Sequence, residues 1–301
     1  MTDAAVRIAV HGGAGKVPSA EADPEWCAMA ENGLREALVV GGDGLSSGGS
    51  ALDAVTAAVA VLERCEAFNA GRGCVLDAEG HVGLDASVMD GRDRRAGGVI
   101  GVARIAQPVE AALEVLREGS HVLLAGIGAE RHAEECGLAM VEPEHHVLEK
   151  RRAQLARALK KRPPGGGTVG AVACDAGGHL AAATSTGGMV ARRPGRVADS
   201  ALPGCGVWAD DLTCAVSATG HGEFFIRAAF CHDVDARIRF GGRNLETACA
   251  EALAVVGALG GSGGCIALDA NGRAAFPFDT PDMPCGIRIG DSPPQVELHG
   301  R

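Results

Sequence analysis

The chain has 301 residues, 47% of them hydrophobic, and a formal net charge of −10, enough for one large α/β domain or two small ones. The acidic balance and the lack of a basic stretch argue against a nucleic-acid partner. No apolar window is long enough to span a membrane, and Met1 to Val10 has no signal-peptide pattern.

Aromatic residues are scarce, with no Tyr, seven Phe and two Trp, so the core must be built from Ala, Val, Leu and Ile. The 45 glycines fall in short motifs and read as tight turns and close backbone approaches. Eleven cysteines, an odd number, lie between Cys27 and Cys285 with no C-x-x-C pair. A zinc ribbon or redox pair is unsupported, and the thiols read as small buried residues of a reducing cytoplasm.

In chain order, Val6 to Val10 reads as a buried strand running into the His11-Gly12-Gly13-Ala14-Gly15 turn. Asp23-Pro24 starts a helix, as N-cap and first helical residue. Gly41 to Gly49 reads as a glycine-rich loop, and Ser50 caps a second helix reaching about Arg64. A hairpin is expected over 73–88, turning at Asp77 to Gly80, then a strand at Gly98 to Arg104 and a helix at Pro108 to Glu118. A short apolar piece at Val122 to Ala125 leads to a helix ending at Cys136. A charged helix then covers Glu142 to Lys161, placing His145-His146 in solvent.

Arg162 to Gly167, with two prolines and three glycines, is the clearest linker in the chain. After it, Thr168 to Cys174 and His179 to Thr186 form a hairpin. Strands follow at 213–219 and 263–268, helices at about 222–233 and 244–259, and Asn271-Gly272 is a hairpin turn. Hairpins and few βαβ units imply mainly antiparallel sheets with helices outside.

Thr168 stands where the linker meets a buried strand. Locally, a β-branched residue starting a strand after glycines needs no further role. A functional reading needs Thr168 to become a chain terminus, because its hydroxyl is a weak nucleophile and a free α-amine on the same residue can serve as its base. The hydroxyl would attack the Gly167 carbonyl, and Gly167 has no side chain to obstruct it.

Gly167-Thr168-Val169-Gly170-Ala171-Val172-Ala173, followed by Ala183-Thr184-Ser185-Thr186-Gly187-Gly188-Met189, resembles the plant-type asparaginases and isoaspartyl peptidases. These are threonine-type N-terminal nucleophile hydrolases. The resemblance continues through Val10 to Gly15, Gly49 to Val55, Phe68 to Gly73, Leu84 to Gly91, Pro194 to Val197, Asp199-Ser200 and Ala218 to Glu223. Each piece is weak alone; in this order over nearly the whole chain they are specific.

The resemblance implies an α+β fold, a four-layer αββα sandwich, matured from one precursor into an α chain 1–167 and a β chain 168–301, with two such αβ units in a homodimer. It implies Thr168 as autocleavage residue and nucleophile, with Gly167 before it, and Thr186 tuning the nucleophile's proton. Thr219 and Gly220 would form the oxyanion hole. Arg196 would hold the substrate α-carboxylate, Asp199 the α-ammonium, and Gly222 would add a backbone contact. On spacing alone, Arg196 and Asp199 would be an inconsequential surface pair. The implied substrates are L-asparagine and β-aspartyl dipeptides, with no organic cofactor. A structural sodium ion is implied on the carbonyls of Leu62, Glu63, Phe68, Ala70 and Arg72.

The Asn69 turn lacks the Lys-Ser or Lys-Thr ending of a phosphate loop, and His11 reads as part of a packed turn. The chain departs from the family pattern at Ala198, usually Gly, at Ala201-Leu202-Pro203, at Phe278 to Met283, and in its short linker before Thr168. The rival readings are a glycosylasparaginase, a threonine endopeptidase, an uncleaved amino-acid-binding relative and a nucleotide-binding enzyme. The last fails for want of G-x-G-x-x-G in a βαβ unit.

Overall fold

The computed structural model describes residues 6–161 and 166–299. The arginine, two prolines and first glycine of the linker lie outside the described residues. The first part of the chain gives β1 (Arg7–His11), α1 (Pro24–Ser46), α2 (Ala51–Arg64), β2 (Leu84–Asp90) and β3 (Ala96–Val102). It continues through α3 (Pro108–Glu118), β4 (Leu123–Ala125), α4 (Gly126–Glu135) and α5 (Glu149–Lys161). After Thr168 come β5 (Val169–Cys174), β6 (Leu180–Thr186), β7 (Val207–Ala209) and β8 (Cys214–Gly220). The chain ends with α6 (Gly222–Ala228), α7 (Phe230–Arg239), α8 (Leu245–Ala258), β9 (Gly263–Asp269), β10 (Ala274–Ala275), β11 (Cys285–Ile289) and β12 (Gln295–Glu297).

The strands form two sheets, a mixed α+β arrangement. One runs β12-β11-β1-β5-β6-β2-β3-β4 and the other β10-β9-β8-β7. The period-two alternation of a strand sorts the larger sheet's residues between two cores. Ile8, Val10, Val169, Ala171, Ala181 and Ala183 pack with Leu34, Leu38, Val55 and Leu62 of α1 and α2. Their neighbours Ala9, Val172, Leu180 and Ala182 pack with Val207, Ala215, Ile266 and Leu268 of the smaller sheet. Cys214, Val216, Cys265 and Ala267, facing the other way, pack with Phe225, Phe230 and Leu253 of the later helices.

The expected caps form. Asp23 accepts from the Trp26 N–H at 2.9 Å and Ser50 from the Asp53 N–H at 3.1 Å; a third cap not anticipated from the sequence is Asn244, which accepts from the Thr247 N–H at 2.9 Å. Other expectations need correction. The segment expected as a loop at Gly41 to Gly49 is helical to Ser46, because the glycines there allow close packing: a Cβ on Gly41 would stand 2.3 Å from Ile8 Cδ1.

The 73–88 hairpin keeps its turn at Asp77 but no ladder leads into it. The Val75 N–H goes to the Asn69 side chain, the Leu76 carbonyl to Ala191 N and the Ala78 N–H to the Arg192 carbonyl. The charged helix divides into a 3₁₀ turn, Pro143–His146, and α5, and His146 is fully buried, not solvated. The helix expected at 222–233 breaks at Ala229, which has φ 47°. Among the described residues, β3 pairs in parallel with β4 across α3, while the other strand ladders are antiparallel. β7, β11 and β12 had no clear signal in the chain.

Cys27, Cys74, Cys174, Cys214, Cys231, Cys249 and Cys265 are buried thiols, and Cys136 is an exposed one. No helix among the described residues is long and apolar enough to cross a membrane.

Candidate active site

Thr168 precedes β5, which lies between β1 and β6, and it is only 5% exposed. The Gly167 carbonyl beside it accepts two hydrogen bonds, from Asn69 Nδ2 at 2.7 Å and from the Thr186 hydroxyl at 2.7 Å. Both donors are fixed. Thr186 Oγ1 itself accepts from the Gly188 N–H at 2.9 Å, which leaves its proton for Gly167. Asn69 Nδ2 also donates to the Gly188 carbonyl at 2.7 Å, while Oδ1 accepts from the Val75 N–H at 2.7 Å. Two carbonyls on one side and an N–H on the other permit a single amide orientation.

Gly13 covers the Gly167–Thr168 peptide from the β1 side. It has φ +110°, and a Cβ there would lie 3.2 Å from Gly167 Cα and from both the nitrogen and the oxygen of Thr168. A side chain would therefore be both strained and crowded against that peptide. The Thr168 hydroxyl lies 3.4 Å from the Ser200 hydroxyl.

Asp199 immediately precedes Ser200 in the chain, and Arg196 and Asp199 both lie against Gly222. Arg196 donates through Nε and Nη2 to the two oxygens of Glu223, at 2.9 and 3.0 Å. Asp199 is fully buried, its Oδ2 has no partner among the described residues, and burial pushes its carboxyl up to about 7 against the pull of Arg196. A Cβ on Gly222 would meet Asp199 Oδ1 at 2.5 Å and Arg196 Nη2 at 2.8 Å, so this backbone touches both. A cavity of about 710 Å³ opens beside them, lined by Met189, Arg193, Arg196, His221 and Glu223.

Thr219 is the penultimate residue of β8 and is fully buried. Its Oγ1 accepts from the Ala14 N–H at 3.0 Å, which leaves the hydroxyl proton for another acceptor. Gly220 follows at φ +155°, where a Cβ would stand 2.5 Å from the Ser262 carbonyl. Thr168 thus reaches Ser200, the residue after Asp199; Gly188 lies beside both Thr186 and the Arg196 guanidinium; Gly222 lies against Arg196 and Asp199; and Thr219 is bonded to Ala14, next to the Gly13 that covers Thr168.

Two carboxylates fix the frame behind these residues. Asp85 accepts from Ala198 N and Gly101 N, both at 2.8 Å, and so holds the turn that carries Asp199. Ala198 itself is extended, φ −84° and ψ 158°, a conformation in which a methyl costs nothing. Glu63 is buried beneath β6, accepting from Ser185 Oγ at 2.5 Å and Val109 N at 3.0 Å, and burial pushes it up to about 8.

His11 fits the packed-turn reading. It is fully buried and bonded to Ser217 Oγ at 3.0 Å, and Ser217 is bonded to Thr184 at 2.8 Å. Burial drives its ring down to about 3, outweighing the pull of the Thr168 backbone, so the ring is neutral.

The carbonyls singled out for a sodium ion are largely engaged. Leu62 O accepts from Cys65 N at 3.2 Å, Glu63 O from Arg72 N at 2.7 Å, and Phe68 O from the Arg151 guanidinium at 3.1 Å. No cluster of His, Cys, Asp and Glu among the described residues has the makings of a metal site. Two contributors went unrecognised in the sequence. Asn69 belongs to the Phe68–Gly73 turn and Asp85 to the Leu84–Gly91 segment, but nothing local to either points at a partner about a hundred residues away.

Residues 4–297 match the family model described as asparaginase. The chain is 44% identical to an isoaspartyl peptidase of Salmonella typhimurium, over 92% of this chain and 93% of that protein. It is 43% identical to an isoaspartyl peptidase of Escherichia coli, over 92% and 90%. It is also 39% identical to an isoaspartyl peptidase/L-asparaginase of Xenopus laevis, again over 92% and 90%. With a match of this extent and a site of this composition, the chain belongs to the asparaginase family.

Proposed function

We propose that this protein is a self-cleaving threonine amidohydrolase that converts L-asparagine and β-aspartyl dipeptides to L-aspartate. The observation that carries the reading is the pair of donors on the Gly167 carbonyl. They polarise the one peptide bond that Thr168 must break, and they stand where its oxygen becomes an anion.

In the precursor, the Thr168 hydroxyl attacks the Gly167 carbonyl carbon, and Asn69 and Thr186 hold the resulting oxyanion. The Gly167–Thr168 C–N bond breaks, the nitrogen takes up a proton, and an ester joins Gly167 to Thr168 Oγ. Water hydrolyses the ester to the Gly167 carboxylate and a Thr168 with a free α-amine. That amine then serves as base for the same hydroxyl.

In the mature enzyme, Arg196 exchanges Glu223 for the substrate α-carboxylate, and Asp199 takes the α-ammonium beside Gly222. Thr168 Oγ attacks the side-chain carbonyl, whose oxygen the Thr219 hydroxyl and Gly220 N–H receive. Ammonia or an amino acid leaves into the adjoining cavity, and water frees L-aspartate from the aspartyl ester. Once cleavage releases it from the Gly167 carbonyl, the Thr186 hydroxyl tunes the Thr168 proton.

This reading makes the chain a single N-terminal nucleophile hydrolase domain cut into 1–167 and 168–301. The three cores support a four-layer αββα sandwich, and two αβ units are expected to pair. Buried free thiols support a reducing, cytoplasmic setting. No organic cofactor enters the chemistry. The sodium ion is a poor fit, because a guanidinium already occupies the Phe68 carbonyl.

The test is the intact mass of the denatured protein beside Thr168→Ala, followed by assay with L-asparagine and a β-aspartyl dipeptide. Two fragments meeting at Gly167/Thr168 in the parent alone, with aspartate released, are expected. A parent that stays one chain after long incubation refutes self-cleavage.

A further inference from the structure

The loop that carries Asn69 is gripped from outside by α5. Arg151 Nε donates to the Gly73 carbonyl at 2.6 Å and Nη2 to the Phe68 carbonyl at 3.1 Å, while Nη1 reaches Gln154 Oε1 at 2.9 Å. Among the described residues Arg151 has no carboxylate within ion-pair distance; its positive charge faces carbonyl oxygens. The guanidinium thus bridges the neck of the loop. Phe68 O belongs to the peptide that enters Asn69, and Gly73 lies two residues before Val75, whose N–H holds the Asn69 side chain.

The surrounding bonds favour the same seating. Gly73 N donates to the His146 carbonyl at 2.8 Å, and Arg72 joins Glu66 at 2.6 Å and the His145 carbonyl at 2.8 Å. Leu155 and Ala158 of α5 pack with Val75 and Leu76 just beyond the loop. An alkali cation on Phe68 O would sit beside a like charge in a partly buried place, which its field disfavours.

We propose that the Arg151 guanidinium is the built-in cation of this loop, so that α5, without an alkali ion, holds Asn69 against the Gly167 carbonyl. Arg151 is a positioning residue, acting through Asn69. Its flat fork spans two carbonyls, which a lysine ammonium cannot match in one geometry. The effect on cleavage rests on the self-processing reading above; the effect on the loop does not.

The experiment compares sodium, potassium and choline chloride at equal ionic strength. It reads the Tm of the uncleaved Thr168→Ala protein and the cleavage rate of the parent, Arg151→Ala and Arg151→Lys by intact mass. The parent should be indifferent to the cation in both readouts. Arg151→Ala should cleave about tenfold more slowly in choline and recover partly with sodium, potassium or added guanidinium. Arg151→Lys should fall between and serves if the alanine variant does not fold. A parent whose Tm or cleavage falls in choline overturns the proposal. So does a variant that cleaves at the parent rate in choline, or a slow variant that no cation restores. A protein that never cleaves, yet whose Tm ignores the cation and falls on Arg151→Ala until sodium is added, upholds this inference and refutes the functional reading.

Discussion

Asn69 and Gly167, 98 positions apart in the chain, are joined by a 2.7 Å hydrogen bond from the Asn69 amide to the carbonyl of the peptide before Thr168. The bond costs no reorganisation, because the same amide is tied to Gly188 and Val75. Asn69→Ala should therefore slow self-cleavage by about 10²–10³, the usual effect of losing one oxyanion donor. Thr186→Val should do the same, and a time course of intact mass measures both. Cleavage at the parent rate in either variant would show that its bond is bystander geometry.

On the proposed reading, Thr219 serves substrate hydrolysis and not self-cleavage. It touches Ala14, not Gly167, so Thr219→Val should mature within a few-fold of the parent rate. Hydrolysis of L-asparagine by the matured variant should fall by about 10²–10³ in kcat. Equal losses in maturation and turnover would place Thr219 in the cleavage step too.

Asp199 carries a stability cost of the kind found at binding sites. Its ordinary value of 3.8 is raised to about 7 by burial. Between those values the unfolded chain gives up a proton that the folded chain retains, so stability falls as pH rises across the window and the penalty is complete above it. Asp199→Asn should thus raise Tm at pH 8, by roughly 2–4 °C per kcal/mol relieved, and leave it nearly unchanged at pH 4. The same variant should lose substrate affinity, and the parent's KM should climb as pH drops below about 7. Thermal scans at the two pH values decide it; a Tm at pH 8 no higher than the parent's goes against an unpartnered carboxylate.

Glu63 obeys the same sign with a later window, its value moving from 4.5 to about 8. Stability should decline as pH rises from about 5 to about 8 on its account. Glu63→Gln keeps an acceptor for Ser185 and Val109 and should flatten that decline. Denaturant titrations at pH 6 and pH 9 compare the two proteins. An unchanged pH slope in Glu63→Gln would mean another group causes it.

Where a signal is local, the sequence was legible. Asp23 and Ser50 cap helices with their own side chains, and the 168–186 hairpin follows from small apolar residues around Asp175 to Gly178. Where the cause is distant, it was not. Gly41 reads as loop material until Ile8 is seen against it, and His146 looks solvated until the fold closes over it. Arg196 and Asp199 would pass for a surface pair by spacing; only Gly222 and the fork on Glu223 bring out their common site.

The order of the larger sheet has a consequence for the life of the molecule. From one edge, β12 and β11 come from the chain after Thr168, β1 from before it, β5 and β6 from after, and β2, β3 and β4 from before. A protein cut ahead of Thr168 is therefore two polypeptides woven through one sheet, each supplying neighbours to the other. Such a pair cannot drift apart while folded. Once melted it has lost the covalent tether that first brought β1 beside β5, and its reassembly becomes a second-order encounter that dilution slows. Maturation on this plan is a ratchet, easy to pass while folded and hard to retrace after denaturation.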